Sequence, residues 1–259
     1  MEPSDQTEGD NSAVSSTENT SENTVKRGKG IYLLPNLLTT GAMFGGFYAI
    51  LASIHGAYEA AVLAIYVAGF FDMMDGRVAR LTNTQSDFGM QYDSLSDMVS
   101  FGVAPAIISF NWILHEVGKI GWAAAFIFAS CAALRLARFN IISSSGDKRF
   151  FVGLASPAAA GLVVTFVWCF YTVQDSTALA ILASLITALA GLLMVSNFKY
   201  FSFKDIDTDG KVPFIFLLAI AVLIAVITMD PPRILLLIAI IYALSGPVMH
   251  LKNARKTQA

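Results

Sequence analysis

Apolar blocks of about 20 residues recur through most of the chain, and this pattern limits the fold more than any other feature. A helix needs about 20 mostly apolar residues to cross the hydrocarbon core of a bilayer. Hydrophobic residues make up 55% of the 259 residues and charged residues only 14%, unlike an ordinary soluble domain. We therefore expect an all-α integral membrane protein with about eight transmembrane helices. The predicted spans are 33–53, 58–76, 97–115, 120–140, 155–174, 177–196, 212–229 and 233–250.

The two ends of the chain differ from this apolar middle. Residues 1–30 are rich in Ser, Thr, Glu and Asn, so we expect a disordered polar tail with a short basic end. Residues 31–251 form the predicted transmembrane domain, and residues 252–259 form a basic C-terminal tail. Cys131 and Cys169 each lie in an apolar block, and we interpret both as packing residues.

The basic residues predict how the helices are oriented in the membrane. Lys and Arg concentrate in cytoplasmic loops of membrane proteins. With eight spans and both termini in the cytoplasm, all 17 basic residues except Lys119 and Arg233 fall at or beyond the cytoplasmic ends. The opposite orientation would place nearly all of them on the wrong side. Both termini are therefore predicted to be cytoplasmic.

Two groups of polar and small residues lie at the cytoplasmic ends of the second and third spans. The first group shares one helix face through its i, i+3, i+4, i+7 and i+8 spacing, and comprises Asp72, Asp75, Gly76, Ala79 and Arg80. The second has i, i+4 and i+8 spacing and comprises Gly89, Asp93 and Asp97. The polar turn TNTQS joins the two helices, so neighbouring helices can bring four carboxylates to one pocket.

Four aspartates at this depth need compensating positive charge. Each unpaired Asp costs about 3 kcal/mol on membrane-insertion scales, and neighbouring carboxylates also repel one another. Arg77 and Arg80 supply two positive charges, whereas two divalent ions would neutralise all four carboxylates and suit hard oxygen ligands. Two metals about 3.5–4 Å apart form a common clamp for displacement at phosphorus. The pattern therefore favours a two-metal site for phosphoryl chemistry.

The order D-x-x-D-G-x-x-A-R, then eight residues, then G-x-x-x-D-x-x-x-D resembles the signature of the CDP-alcohol phosphatidyltransferase family, and every defined position is filled here. Further segments resemble the bacterial branch of that family that uses serine as the acceptor alcohol. These segments are PNLLTTGAMFGGFYAI, RLARFN, FVGLASPAAAG, LMVSNFKYFSFKDID and LSGP. The resemblance covers most of the chain after the N-terminal tail.

This resemblance implies roles for the motif residues. It implies that Asp72, Asp75 and Asp93 bind divalent metal, Mg²⁺ or Mn²⁺, as two ions, and that Asp97 lies near the second ion and is the general base. The residues implied to contact the CDP-diacylglycerol donor are Asp72, Gly76, Ala79, Arg80 and Gly89. The implied reaction is attack of the L-serine hydroxyl on the phosphorus that bears diacylglycerol, with release of CMP.

The resemblance also implies a setting for the reaction. Residues 31–251 would be a catalytic domain of a multi-pass protein in the bacterial cytoplasmic (inner) membrane, with the active site facing the cytoplasm. A homodimer formed through membrane helices is implied, and we expect no nucleic-acid partner. The lipid donor stays in the bilayer while serine and CMP are water-soluble, so a site at the membrane boundary suits all three.

Residues that bind the acceptor are less sharply indicated. A zwitterionic amino acid needs a cation for its carboxylate. The candidates for binding serine or the diphosphate near the fourth span are Arg135, Arg138, Lys148 and Arg149, and we expect Arg138 or Arg149 to make this contact. Anchoring of these cations at the membrane surface is an alternative. Asn36 and Thr39, at the entrance of the first span, are candidates for lining the donor site, and helix capping is the alternative for both.

Other functions fit the sequence less well. A cation transporter would want acids near the bilayer midplane and an inverted repeat, and neither is found. An intramembrane prenyltransferase would explain DMMD at 72–75 but not the G-x-x-A-R continuation. Within the resembled family, the acceptor alternatives are glycerol 3-phosphate, inositol, inositol phosphate and choline. The loop DIDTDG at 205–210 lacks the final glutamate of a calcium-binding EF-hand, so we do not expect calcium there.

Overall fold

The chain folds into a bundle of helices in a computed structural model that describes residues 33–144, 153–173, 176–198, 200 and 214–257. The N-terminal tail, the DIDTDG loop, Lys148 and Arg149 lie outside these residues. The α-helices are α1 (Leu33–Ile54), α2 (Tyr58–Leu81), α3 (Asp87–Asp97), α4 (Ala104–Trp112), α5 (Lys119–Ser144), α6 (Ser156–Phe170), α7 (Thr177–Val195), α8 (Phe214–Met229) and α9 (Pro231–Thr257).

Each predicted span coincides with helical structure, but the spans differ in how well they suit a bilayer. Four helical stretches are long and apolar enough to cross a membrane, namely Leu33–Ile54, Lys119–Ile141, Thr177–Val195 and Pro231–His250. The helix α6 is apolar but only 15 residues long. The chain is thus an all-helical protein with four candidate membrane-spanning helices among the described residues. The total of eight crossings stays a prediction.

The third predicted span is a composite helix that begins ten residues earlier than its apolar part. It runs from α3 through a π-helical turn, Met98–Val103, into α4. Pro105 lies in the first turn of α4. Because proline has no backbone N–H, it cannot donate a hydrogen bond to a carbonyl of the preceding turn. The wider π-helical turn accommodates this loss without breaking the path of the helix. The polar residues of α3 therefore lie on a helix that continues without a break into the buried helix α4.

Small residues bring the helix backbones close together. Lipid is as apolar as leucine, so close packing between small residues contributes strongly to helix association in membranes. In α1, a Cβ added at Gly45 would lie 3.0 Å from the carbonyl oxygen of Ala64 in α2. A Cβ added at Gly46 would lie 2.6 Å from Ser100 in the π-helical turn. The GAMFGG segment therefore packs α1 against both helices that carry the aspartate motif, as its small residues predict.

Candidate active site

A tight turn fixes the relative position of the two motif helices. The α2 helix ends at Leu81, and Asn83 adopts a left-handed conformation with φ of 50°. The amide of Thr84 donates to the carbonyl of Ala79 at 3.0 Å, and that of Asn83 donates to the carbonyl of Arg80 at 3.3 Å. These two bonds are the hydrogen-bond pattern of a Schellman motif, which ends a helix and reverses the chain.

The α3 helix starts immediately after this turn because Ser86 caps it. The Ser86 hydroxyl accepts a hydrogen bond from the amide of Gly89 at 3.0 Å. A Cβ added at Gly89 would lie 3.1 Å from Ser86 Oγ and 3.6 Å from Asn36 Oδ1 of α1. Glycine at position 89 therefore leaves the cap undisturbed and the space toward Asn36 open.

Three of the four aspartates form a compact cluster. Asp72, Asp75 and Asp93 each offer a carboxylate oxygen, and these oxygens lie within 4.8 Å of one another. Asp75 is buried, and the other two are partly buried. Asp97 lies outside this group of three, but its carboxyl group is hydrogen-bonded to that of Asp72. The helices α2 and α3 therefore bring all four side chains to one place.

The donor set of this cluster fits divalent metal ions. Within the described part of the chain, no Lys or Arg forms an ion pair with any of the four aspartates. The suggestion that Arg77 and Arg80 compensate the aspartates directly is therefore wrong: both side chains are exposed. Asp93 Oδ1 is buried and has no hydrogen-bond partner among the described residues. An unpaired buried carboxylate oxygen beside two further carboxylates is well suited to bind a hard cation.

The environment of Asp93, which precedes the third predicted span, favours a protonated carboxyl group. Burial, together with the charges of Asp75 and Asp72, raises its pKa to about 7. Burial and both neighbouring charges disfavour the ionised form of the Asp93 carboxyl group. A bound cation would favour the ionised form and lower this pKa.

Thr39 of α1 also contacts the cluster. Its hydroxyl donates to Asp75 Oδ2 at 2.7 Å, and it also lies 3.1 Å from the carbonyl oxygen of Pro35. Thr39 and Asn36 both lie within α1 instead of preceding it, so the capping alternative is wrong for these residues.

A cavity of about 460 Å³ opens beside the cluster. It is lined by six of the predicted donor-binding residues, which are Asn36, Thr39, Gly76, Ala79, Arg80 and Gly89. Asp75 and Asp93 also line the cavity, whereas Asp72 and Asp97 do not. Asp72, also predicted to contact the donor, is therefore not part of the cavity wall, whereas the small residues Gly76 and Ala79 leave space for a ligand there.

Several residues of the cavity wall were not predicted. They are Pro35, Thr84, Gln85, Ser86, Asp87, Met90 and Phe139. Ser86 was detectable, because serine directly before a helix is a common N-cap. Phe139 comes from the distant helix α5, and no local pattern in the sequence connects it to the motif.

The two predicted basic residues within the described part of α5 have different environments. Arg135 donates from Nη1 to the buried Ser156 hydroxyl at 2.8 Å, and its charge interacts with Asp97. Its Nε is buried and has no hydrogen-bond partner within the part of the chain that the structure describes. Arg138 is exposed and donates to Asn197 Oδ1 at 3.2 Å. Of these two described arginines, Arg135 is the one that combines proximity to the aspartates with an unpaired donor.

The chain is similar in sequence to proteins of one known family. The family model for CDP-alcohol phosphatidyltransferases matches residues 32–195. The chain is 36% identical over 217 residues to the CDP-diacylglycerol–serine O-phosphatidyltransferase of Helicobacter pylori, covering 83% of this chain and 90% of that protein. It is 39% identical over 189 residues to the protein of the same name from Methanocaldococcus jannaschii, covering 73% and 83%.

A third relative of that name, from Bacillus subtilis, is 33% identical over 171 residues, covering 66% of this chain and 91% of the relative. The matched region contains the helices α1 to α7 and both halves of the aspartate motif. The chain therefore belongs to the CDP-alcohol phosphatidyltransferase family.

Proposed function

We propose that the protein is a phosphatidylserine synthase, which transfers the phosphatidyl group from CDP-diacylglycerol to the hydroxyl of L-serine and releases CMP. The observation that carries this proposal is the cluster of Asp72, Asp75 and Asp93, with its unpaired buried oxygen, beside a cavity lined by the other motif residues. The relatives named above favour serine over glycerol 3-phosphate, inositol, inositol phosphate or choline.

The aspartates have the chemistry to hold the metal ions that the reaction needs. Asp72, Asp75 and Asp93 would hold two ions, Mg²⁺ or Mn²⁺, with Asp97 next to the second. When bound, such ions neutralise the carboxylates and stabilise negative charge on the diphosphate. Arg80, exposed on the cavity wall, would bind the diphosphate and stabilise the charge that develops on the departing CMP.

Asp97 is the proposed general base. A serine hydroxyl is a weak nucleophile and needs a proton acceptor within hydrogen-bond reach. As the serine oxygen forms its bond to the phosphorus that bears diacylglycerol, the bond from that phosphorus to CMP breaks, and the hydroxyl proton passes to the Asp97 carboxylate. The contact between Asp97 and Asp72 would hold the base beside the metal ligands.

Arg135 is the proposed binding residue for the serine carboxylate. It is near Asp97 and has a buried Nε without a partner, so a carboxylate bound there would satisfy this donor. Arg138 has an exposed side chain and an amide partner, which makes it the weaker candidate. Lys148 and Arg149 stay candidates from the sequence.

The proposed location is the cytoplasmic membrane of a bacterium, with the site facing the cytoplasm. The charge distribution supports this orientation, because Arg77, Arg80 and Arg135 lie at the end of the bundle that holds the aspartates, whereas Lys119 and Arg233 start α5 and α9 at the other end. The family resemblance implies a homodimer, which cross-linking of the purified protein in a membrane mimic tests.

An acceptor competition assay tests the proposed function. Purified protein receives CDP-diacylglycerol, Mg²⁺ or Mn²⁺ and labelled serine, with glycerol 3-phosphate, inositol, inositol phosphate and choline as competitors. We expect labelled phosphatidylserine and CMP in equal amounts, and neither product from an Asp72→Asn variant. Preferential incorporation of another alcohol would refute the assignment to serine while leaving the phosphatidyl transfer intact.

A further inference from the structure

A single residue of α1 contacts both helices of the aspartate motif. The Thr39 hydroxyl donates to Asp75 Oδ2 of α2 at 2.7 Å. The Thr39 carbonyl oxygen accepts a hydrogen bond from Ser96 Oγ of α3 at 3.0 Å. Thr39 is 4% exposed and Ser96 is 1% exposed, so neither bond competes with bulk water. Ser96 directly precedes Asp97, and the contacts of Thr39 therefore join a proposed metal ligand to the neighbour of the proposed base.

We propose that Thr39 is a positioning residue for metal binding: its hydroxyl orients the carboxylate of Asp75 so that this aspartate can bind the metal. This inference rests on the proposed function, and it gives Thr39 a role other than contact with the nucleotide donor. A hydrogen bond to one carboxylate oxygen limits rotation of the group and leaves the other oxygen for the cation. Outer hydrogen-bond partners of this kind typically contribute about 10–100-fold to metal affinity.

The geometry of the Thr39 hydroxyl favours this role over a purely local one. A threonine inside a helix commonly donates to the carbonyl four residues earlier, which here is Pro35. The hydroxyl has one hydrogen, and its oxygen lies 3.1 Å from the Pro35 carbonyl oxygen but 2.7 Å from Asp75 Oδ2. A charged acceptor forms the shorter and stronger bond. The hydroxyl therefore serves the carboxylate in preference to its own helix.

The chain contains a matched control for the packing of these helices. Ser100, four residues after Ser96, donates to the carbonyl oxygen of Ala42 in α1 at 2.9 Å and is fully buried. Like the bond from Ser96 to the carbonyl oxygen of Thr39, this bond runs from a serine hydroxyl to a backbone carbonyl oxygen of α1. It lies one helical turn farther from the aspartates. Loss of Ser100 Oγ should weaken packing without altering the orientation of Asp75.

Metal-induced stabilisation of the purified protein in detergent tests the proposal without reference to turnover. Melting temperature is followed while Mn²⁺ alone is added to the parent and to the Thr39→Val, Thr39→Ser, Ser100→Ala and Asp75→Asn variants. We expect Thr39→Val to raise the Mn²⁺ midpoint about tenfold or more, and Thr39→Ser, which keeps the hydroxyl, to stay within about threefold of the parent. Ser100→Ala should keep the parental midpoint even where its metal-free melting temperature falls.

A parental Mn²⁺ midpoint for Thr39→Val would overturn the positioning role, as would an equal shift for Ser100→Ala. If Thr39→Val does not yield folded protein, Thr39→Ala gives the same comparison. Asp75→Asn separates this inference from the proposed function. If Asp75→Asn keeps the full response to Mn²⁺, the metal site itself is wrong; if it loses the response while Thr39→Val keeps it, only the role of Thr39 is wrong.

Discussion

The substitution Asp93→Asn should stabilise the metal-free protein at alkaline pH, although it removes a proposed metal ligand. Burial and the neighbouring charges of Asp75 and Asp72 raise the pKa of Asp93 from 3.8 to about 7. The folded chain therefore holds this proton more tightly than the unfolded chain does. The stabilisation that comes from the protonated Asp93 carboxyl group is fully present below pH 3.8 and is lost as the pH rises through about 7. Asparagine does not titrate, so the variant avoids this loss.

The size of the effect follows from the shift in pKa. At about 1.4 kcal/mol per unit, a rise from 3.8 to about 7 corresponds to roughly 4 kcal/mol against the ionised form. Asp93 is partly exposed, and screening by water reduces this figure, so we expect about 2 kcal/mol. For a chain of this size that equals a rise in melting temperature on the order of 5 °C.

Thermal melting in detergent with a chelator present, at pH 5.5 and pH 8, measures this difference. The parent should melt at a lower temperature at pH 8 than at pH 5.5, and Asp93→Asn should remove part of the difference. Added Mn²⁺ should raise the melting temperature of the parent most at pH 8, because the cation competes with protons for the carboxylates. A parent that melts identically at both pH values without metal, or a variant that is less stable than the parent at pH 8, would show that the pKa of Asp93 is not raised in the folded protein.

Three further predictions concern the base, the acceptor site and the packing of α1. Asp97→Asn should lower turnover about 100-fold or more while CDP-diacylglycerol binding is retained; near-parental turnover in the product assay would exclude Asp97 as the base. Arg135→Gln should raise the KM for serine at least tenfold with little change in the KM for CDP-diacylglycerol, and steady-state kinetics with unchanged serine dependence would exclude that role. Gly46→Ala places a Cβ 2.6 Å from Ser100 and should lower the free energy of unfolding by about 1–3 kcal/mol. Gly161→Ala, whose Cβ would meet no atom of the described residues within 4 Å, should not lower the melting temperature. Equal melting of these two alanine variants would contradict the close approach of α1 to the π-helical turn.

The sequence predicted the positions of the helices and the faces of the motif well, because both follow from local spacing. Apolar length locates a membrane helix, and the 3.6-residue period places Asp72 and Asp75 on one face. The helix that follows the turn TNTQS was predicted from the spacing of Gly89, Asp93 and Asp97 and is confirmed, although the apolar block alone indicated only its continuation from residue 97.

Contacts between distant helices could not be predicted in the same way. The bond between Thr39 and Asp75 spans 36 positions and depends on how α1 packs against α2. Arg135 and Arg138 lie on one helix that is apolar on all sides, so the pattern did not indicate that the first points toward Asp97 and the second toward the surface. The prediction that Arg80 compensates the charge of the aspartates was wrong for a related reason, because proximity in sequence does not determine where a long side chain points.

The decisive experiment is to measure whether the transfer depends on metal. Purified protein is chelated exhaustively and assayed for CMP release from CDP-diacylglycerol, with and without L-serine, before and after Mg²⁺ or Mn²⁺ is restored. We expect no serine-dependent CMP release from the chelated protein, full recovery with the added ion, and no recovery in an Asp72→Asn variant. Unchanged CMP release after chelation would rule out a metal-dependent transfer at these aspartates.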